Sequence, residues 1–373
     1  MFSPFCPITL RFASAENAAA TIQDAVPHNK AVLLLGDAAL KGQLASFCSS
    51  LADAFPSVRT LWISAPPNVE ALFALLQSAA QDNIGAIVCI GGGSTIDMGK
   101  GLRAFWGEDF ADADALRRGI LQHTYRNQKE KPPLIVMPTT AGTGSEVTPW
   151  ATIWDPAKNA KLSIDGVGLF PAMSVVVAEW TLSMPAGVTL ATGLDALAHA
   201  MEAFWARDRN PLCQELSLSA ISLIREYLPR VLAAPRAIDL REKMCLAALF
   251  AGLSFSMTRT TACHSISYIL TMRYQIPHGF AVALTLASVG RKNRAVVPEI
   301  NRVFSIFDGE CGFTDWMRTT CCTVQPLSLS AFGVPEGDLP GIASEAFSNA
   351  RMQNNPVELT QEDVLSILQE AYL

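Results

Sequence analysis

Residues 86–100 read Ala86-Ile-Val-Cys-Ile90-Gly91-Gly92-Gly93-Ser94-Thr95-Ile96-Asp97-Met98-Gly99-Lys100, a short apolar run, three glycines and a stretch of helical character. The run is strand-sized and apolar throughout, as expected of a strand buried on both faces. Similar runs lie at Ala31–Leu35, Arg59–Ile63 and Leu134–Met137, separated by amphipathic stretches. That alternation predicts a parallel sheet covered by helices on both sides. Glycines at a strand-to-helix turn let backbone N–H groups approach a phosphate, and the helix end adds positive potential, a geometry suited to a dinucleotide pyrophosphate. The segment is neither G-x-G-x-x-G nor a P-loop, because Gly101 follows Lys100 where a P-loop needs Ser or Thr. On the glycines alone, a simple tight turn accounts for it equally well. A second turn, Met137-Pro-Thr139-Thr-Ala-Gly-Thr143-Gly-Ser-Glu146, also follows a strand and is dense in small hydroxyl donors. Two such turns at the carboxyl ends of parallel strands favour a ligand site.

After about Met184 the pattern changes to helical periodicity, at Gly193–Ala206, Leu216–Leu232, Arg241–Phe255 and Thr360–Tyr372. The boundary is expected near Ser183-Met184-Pro185, giving an α/β domain over 1–183 and an all-helical domain over 184–373. The stretch 309–341 has weak periodicity and reads as short helices and loops. A chain of 373 residues exceeds one ordinary core of about 150 residues, which agrees with two domains. Half the residues are apolar and 17% are charged, which excludes a disordered chain. With a net charge of −6 and no basic cluster longer than Arg291-Lys292-Asn293-Arg294, nucleic acid is not an expected partner. Nine scattered cysteines without a C-x-x-C pair argue against a disulfide framework and for the cytoplasm, with Cys321 and Cys322 as reduced core residues. No basic n-region precedes the first apolar stretch, and no apolar run reaches the roughly 18 residues of a membrane span, so a soluble chain is expected.

Of five histidines, His199, His264 and His278 fall in the first half of the helical domain, while His28 and His123 sit in polar loops. Asp195 and His199 lie four apart, so both leave one helix face. His264 and His278 are fourteen apart, about 21 Å of rise in a single helix. A turn at Pro277-His278-Gly279 folds the chain back and removes that distance. Each residue alone has an ordinary reading, as an intrahelical pair, a cap or a core histidine. Together, on apolar helices, they form a carboxylate and three imidazoles suited to Fe²⁺ or Zn²⁺.

Taken in order, Gly91-Gly-Gly-Ser-Thr-Ile-Asp97, Pro138-Thr-Thr-Ala-Gly-Thr-Gly-Ser-Glu146, Gly193-Leu-Asp-Ala-Leu-Ala-His199 and Pro277-His-Gly279 resemble the iron-containing (group III) alcohol dehydrogenase family over nearly the whole chain. The resemblance implies an N-terminal dinucleotide-binding domain, a helical C-terminal domain of the dehydroquinate synthase-like type, a metal and substrate cleft between them, and a homodimer. It carries metal-ligand roles to Asp195, His199, His264 and His278. Nicotinamide-dinucleotide positions map to Asp37, Asn68, Gly92, Gly93, Ser94, Asp97, Thr139, Thr143 and Lys161. A carboxylate at Asp37 repels a 2′-phosphate, so NAD(H) is favoured over NADP(H). The sequence departs from the family pattern where Tyr268 stands in place of a second histidine, which makes its hydroxyl a candidate proton donor. The strings 260–268, 202–206 and Asn210-Pro211 look most like the phosphonoacetaldehyde reductase branch, with phosphonate metabolism as the setting. That implies a small anionic aldehyde, with Arg259 and Arg273 flanking His264 and Arg259, Thr260 and Thr261 as its ligands; a solvated surface charge at Arg273 and helix filler at the two threonines are the ordinary readings.

The expected chemistry is metal-assisted hydride transfer between NAD(H) and an aldehyde. Other short aldehydes, a non-redox lyase like dehydroquinate synthase and a nucleotide-binding protein without turnover are the competing readings.

Overall fold

The computed structural model describes residues 6–79, 83–127, 131–158, 160–347 and 350–373. The chain folds as two compact units, one comprising residues up to Thr140 with Ser145–Thr181, the other Ala141–Gly144 with Leu182–Leu373.

In the first unit the elements run β1 (Thr9–Phe12), α1 (Ala18–Gln23), β2 (Ala31–Asp37), α2 (Ala45–Ala54), β3 (Val58–Ile63), α3 (Val69–Ala79), β4 (Ile84–Gly91), α4 (Gly93–Ala104), α5 (Ala113–Leu121), β5 (Leu134–Pro138), β6 (Trp150–Asp155), β7 (Ala160–Asp165) and β8 (Met173–Val176). Six strands form one parallel sheet in the order β1-β8-β5-β4-β2-β3. Alternate residues serve opposite cores. Leu33, Leu35, Ile87 and Cys89 pack with Leu72, Ile96 and Leu116, while Val32, Leu34, Ala86 and Val88 pack with Ile22, Phe47 and Leu51. Burial on both faces is why these strands are apolar without alternation. Strand order reverses between β2 and β4, and Gly36 pairs with Ile90, so Asp37 and the glycine turn emerge side by side at the switch point.

Three features depart from the sequence reading. Strand β1 has a mostly exposed pattern, so it lacks the apolar signature of the inner strands. The β6–β7 hairpin is antiparallel; β6 alternates in burial, a period-2 pattern rather than a continuous apolar run, and β7 is half-buried along most of its length. In the stretch expected as short helices and loops stands α13, a thirteen-residue helix.

The second unit contains α6 (Ala186–Trp205), α7 (Pro211–Ala233), α8 (Ile238–Thr258), α9 (Ala262–Tyr274), α10 (His278–Ala283), α11 (Leu286–Asn293), α12 (Ile300–Ser305), α13 (Glu310–Cys322), α14 (Leu339–Phe347) and α15 (Gln361–Glu370). Side chains set several of these boundaries. Asn210 caps α7 ahead of Pro211, and Thr360 with Asp363 forms a capping box on α15. Residues Gly193–Trp205 of α6 are all buried, which accounts for its apolar circumference. Cys321 lies in the core while Cys322 is exposed, since neighbours on a helix point about 100° apart, a correction to the expectation that both are core residues. Among the described residues no helix is long and apolar enough to cross a membrane.

Candidate active site

Helix α6 presents Asp195 and His199 on one face, and α9 brings His264 against them. The chain then leaves α9 through Gln275 in the left-handed conformation, and Pro277 caps α10, whose first residue is His278. A Cβ at Gly279 would lie 1.8 Å from the Ala191 carbonyl oxygen, so only glycine lets this turn close onto α6. The Nε2 atoms of His199, His264 and His278 stand 3.7, 3.7 and 3.8 Å from a single atom, Asp195 Oδ1. These are too long for hydrogen bonds. They match the spacing of two ligands on one ion, about 3.4 Å when metal–nitrogen bonds are about 2.1 Å in tetrahedral geometry.

Two of the converging atoms, Asp195 Oδ1 and His264 Nε2, are buried with no hydrogen-bond partner. Buried polar atoms without partners are costly, so this donor set fits a divalent cation held between its atoms. Asp195, His199 and His264 form the one group among the described residues whose ligand atoms lie together within 4.8 Å. The opposite nitrogens are held. His199 Nδ1 donates to the Gly142 carbonyl at 3.3 Å, with the ring stacked on Phe255 at 4.0 Å, and His264 Nδ1 donates to Glu202 Oε2. Burial lowers His199 to about 4 against the pull of Asp195, which leaves it neutral, the form that ligates. Burial also works against a charged His264, but Glu202 and Asp195 outweigh it and raise this group.

On the α/β unit, Gly92 precedes the first turn of α4 and Ser94 is exposed there, which leaves backbone donors at a helix N-terminus. Asp37 accepts from Ala39 N at 3.0 Å, and Asn68 caps α3 by accepting from Ala71 N at 2.7 Å. Asp97 accepts from Ser145 Oγ at 2.6 Å and Thr152 N at 2.8 Å, so its carboxylate pins the second turn. Thr139 is buried and joined to Gly91 through its backbone N–H, and Lys161 lies 5.6 Å above the Trp154 ring. Thr143 packs with the helical unit, four residues from Thr139 in the other.

The family models describe what this arrangement resembles. Residues 10–178 match iron-containing alcohol dehydrogenase, and residues 189–372 match the C-terminal part of the Fe-containing alcohol dehydrogenase family. The NAD-dependent methanol dehydrogenase of Bacillus methanolicus is 32% identical over 307 residues, 78% of each chain. The chain belongs to the iron-containing alcohol dehydrogenase family. The 1,3-propanediol dehydrogenase of Citrobacter freundii is 31% identical over 80% of this chain and 78% of its own. Among solved structures, sulfoacetaldehyde reductase from Bifidobacterium kashiwanohense in complex with NAD⁺ superposes with a TM-score of 0.86 at 27% identity, covering 100% of this chain and 98% of that one.

As an oxidoreductase of this family, the protein uses some of the expected residues differently. Thr261 is fully buried, receives Trp205 Nε1–H at 3.0 Å and donates to Glu202 Oε1 at 2.7 Å. Its hydroxyl is therefore committed inside the protein and is not a substrate ligand, which corrects the sequence reading. Arg273 pairs with Glu345 at the surface and does not flank the site as an anion binder. Arg259 is exposed and Thr260 buried, at the turn between α8 and α9. Tyr268 is buried one turn beyond His264, its ring parallel to that of His278 at 6.1 Å. Sequence reasoning missed Glu202 and Gly142 as the groups that orient the histidines. The signal for Glu202 was present, because Asp195, His199 and Glu202 fall at i, i+4 and i+7 of one helix face. Gly142 acts through its carbonyl, which no residue type marks.

Proposed function

We propose that the protein reduces a short anionic aldehyde with NADH, most specifically phosphonoacetaldehyde to 2-hydroxyethylphosphonate. The observation that carries the redox reading is the convergence of three imidazole Nε2 atoms on Asp195 Oδ1. Asp195, His199, His264 and His278 hold a divalent ion, Fe²⁺ or Zn²⁺, which when bound supplies Lewis-acid polarisation of the substrate carbonyl. NADH when bound supplies the hydride to the carbonyl carbon, and one proton to the oxygen completes the balance. Gly92, Gly93 and Ser94 receive the pyrophosphate at the α4 N-terminus, and Asp37 at the end of β2 receives the ribose hydroxyls. Asp97, Asn68, Thr139 and Lys161 of the α/β unit shape or line the same cofactor site. Tyr268 Oη delivers the proton, a role supported by its place beyond His264 and against His278.

The anionic substrate is supported by the exposed guanidinium of Arg259 ahead of α9, and by the likeness to a reductase of sulfoacetaldehyde, itself an anionic two-carbon aldehyde. A neutral short aldehyde is the second reading, favoured by the likeness to methanol and 1,3-propanediol dehydrogenases. Nine cysteines with no disulfide agree with the cytoplasm. The test is a rate panel of phosphonoacetaldehyde, sulfoacetaldehyde, lactaldehyde and short aliphatic aldehydes with NADH and NADPH. A kcat/KM at least tenfold higher for the anionic aldehydes is expected, about 1.4 kcal/mol. Equal rates on neutral aldehydes would remove the anionic reading, and no NADH oxidation with any aldehyde would remove the redox one.

A further inference from the structure

The geometry assigns to Glu202 the selection of the His264 tautomer that leaves Nε2 free to bind a metal. This inference rests on the metal reading above and goes beyond it, because it names a positioning residue outside the ligand set. A neutral imidazole carries one proton, on Nδ1 or on Nε2, and only the unprotonated nitrogen ligates. Glu202 Oε2 faces His264 Nδ1. An ionised carboxylate only accepts, so the proton is drawn to Nδ1 and the Nε2 lone pair points at Asp195.

The carboxylate cannot turn to present anything else. Its other oxygen, Oε1, accepts from Thr261 N at 2.9 Å, Thr261 Oγ1 at 2.7 Å, Cys263 N at 3.0 Å and His264 N at 3.4 Å. The direction of the hydroxyl bond is also set. Indole N–H is a donor only, so Trp205 Nε1 gives to Thr261 Oγ1, and the Thr261 proton is left for Glu202. Five donors converge on this side chain, four at Oε1 and one at Oε2, and only a carboxylate whose two oxygens both accept receives them all. Glu202 is thus an ionised acceptor, fully buried, with one oxygen bonded to the first turn of α9 and the other to His264.

The arrangement makes a prediction that a packing role reverses. In Glu202→Gln the donors clustered at Oε1 require the amide oxygen there, which forces the NH₂ toward His264 Nδ1. A donor in that place selects the Nε2–H tautomer, the form that cannot ligate. Glu202→Ala removes the acceptor without installing a wrong donor. Tautomer selection therefore ranks Gln below Ala in metal affinity, whereas packing and hydrogen-bond loss rank Ala below Gln.

The test is Zn²⁺ titration of the chelator-stripped full-length protein against a competing chelator, together with ¹⁵N NMR of the histidine side chains before metal is added. Expected are roughly 10–100-fold weaker Zn²⁺ binding for Glu202→Gln, a smaller loss for Glu202→Ala, and a His264 signal that moves from Nδ1–H to Nε2–H in Glu202→Gln. Thr261→Val, which keeps the carboxylate, should stay within about threefold of the wild type. Wild-type affinity in Glu202→Gln, or an unchanged His264 tautomer, overturns the inference even if the Ala variant does not fold. Failure of the wild type to bind Zn²⁺ overturns the metal reading itself, and this inference with it.

Discussion

Two buried polar clusters in this molecule differ in whether their hydrogen bonds are complete. In the α/β unit Lys100 is completely buried, and its ammonium donates to Thr148 O and Trp150 O at 2.8 Å, Ser145 Oγ at 3.1 Å and Thr148 Oγ1 at 3.2 Å. Asp97, whose carboxylate also accepts from Ser145 Oγ, supplies balancing charge. In the helical unit Asp195 Oδ1 and His264 Nε2 have no hydrogen-bond partner. The satisfied cluster builds a shape, holding the second donor-rich turn against α4. The unsatisfied one has lone pairs that the proposed metal would take up. Burial does not separate the two, since both are inside. What separates them is whether the internal hydrogen bonds close.

Three substitutions test that contrast. Lys100→Met leaves buried acceptors and carboxylates without their cation, and should destabilise the full chain by about 3–5 kcal/mol in urea unfolding. A near-neutral result would break the assignment of this cluster to structure. Next comes the pH dependence of Glu146, whose carboxyl burial pushes up from 4.5 to about 7. Between those values the native chain holds a proton that the unfolded chain has released, so stability falls as pH rises, by ~3 kcal/mol across the window. Glu146→Gln should flatten that slope and be more stable than the wild type above pH 7, read as melting temperature against pH. An unchanged slope would mean the carboxyl is not the group that titrates. The smallest effect belongs to the metal site. Asp195→Asn in the stripped protein removes the carboxylate on which the three imidazoles converge, and should cost less stability than Lys100→Met while abolishing metal uptake. A large loss of stability would show that Asp195 is structural.

How far the sequence could be read follows from the range of the forces involved. Strands β2, β4 and β5 were legible because burial on both faces makes them apolar throughout, and the edge strand β3, half-buried along its length, because of its run Leu61-Trp62-Ile63. Strand β1 and the β6–β7 hairpin were not, β1 being mostly exposed at the sheet edge, β6 alternating in burial and β7 half-buried. Helix α13 was hidden by Thr314, Thr319 and Thr320 and by paired cysteines that weaken its periodicity. Thr261 was misassigned because a hydroxyl looks the same in sequence whether it faces a substrate or a buried Glu202.

The amino-acid sequence by itself determined the parallel α/β half, the helical half, the face shared by Asp195 and His199, and the turn at Pro277 that turns the chain back. These depend on periodicity and on residue-specific backbone limits, which act over a few positions. Only the tertiary structure decided that His278 returns to within 3.8 Å of Asp195, that the Gly142 carbonyl meets His199, and that Glu202 closes on His264. Those contacts join residues 57 to 83 positions apart along the chain, and their formation depends on how the helices and the 141–144 turn pack, which local propensity does not encode.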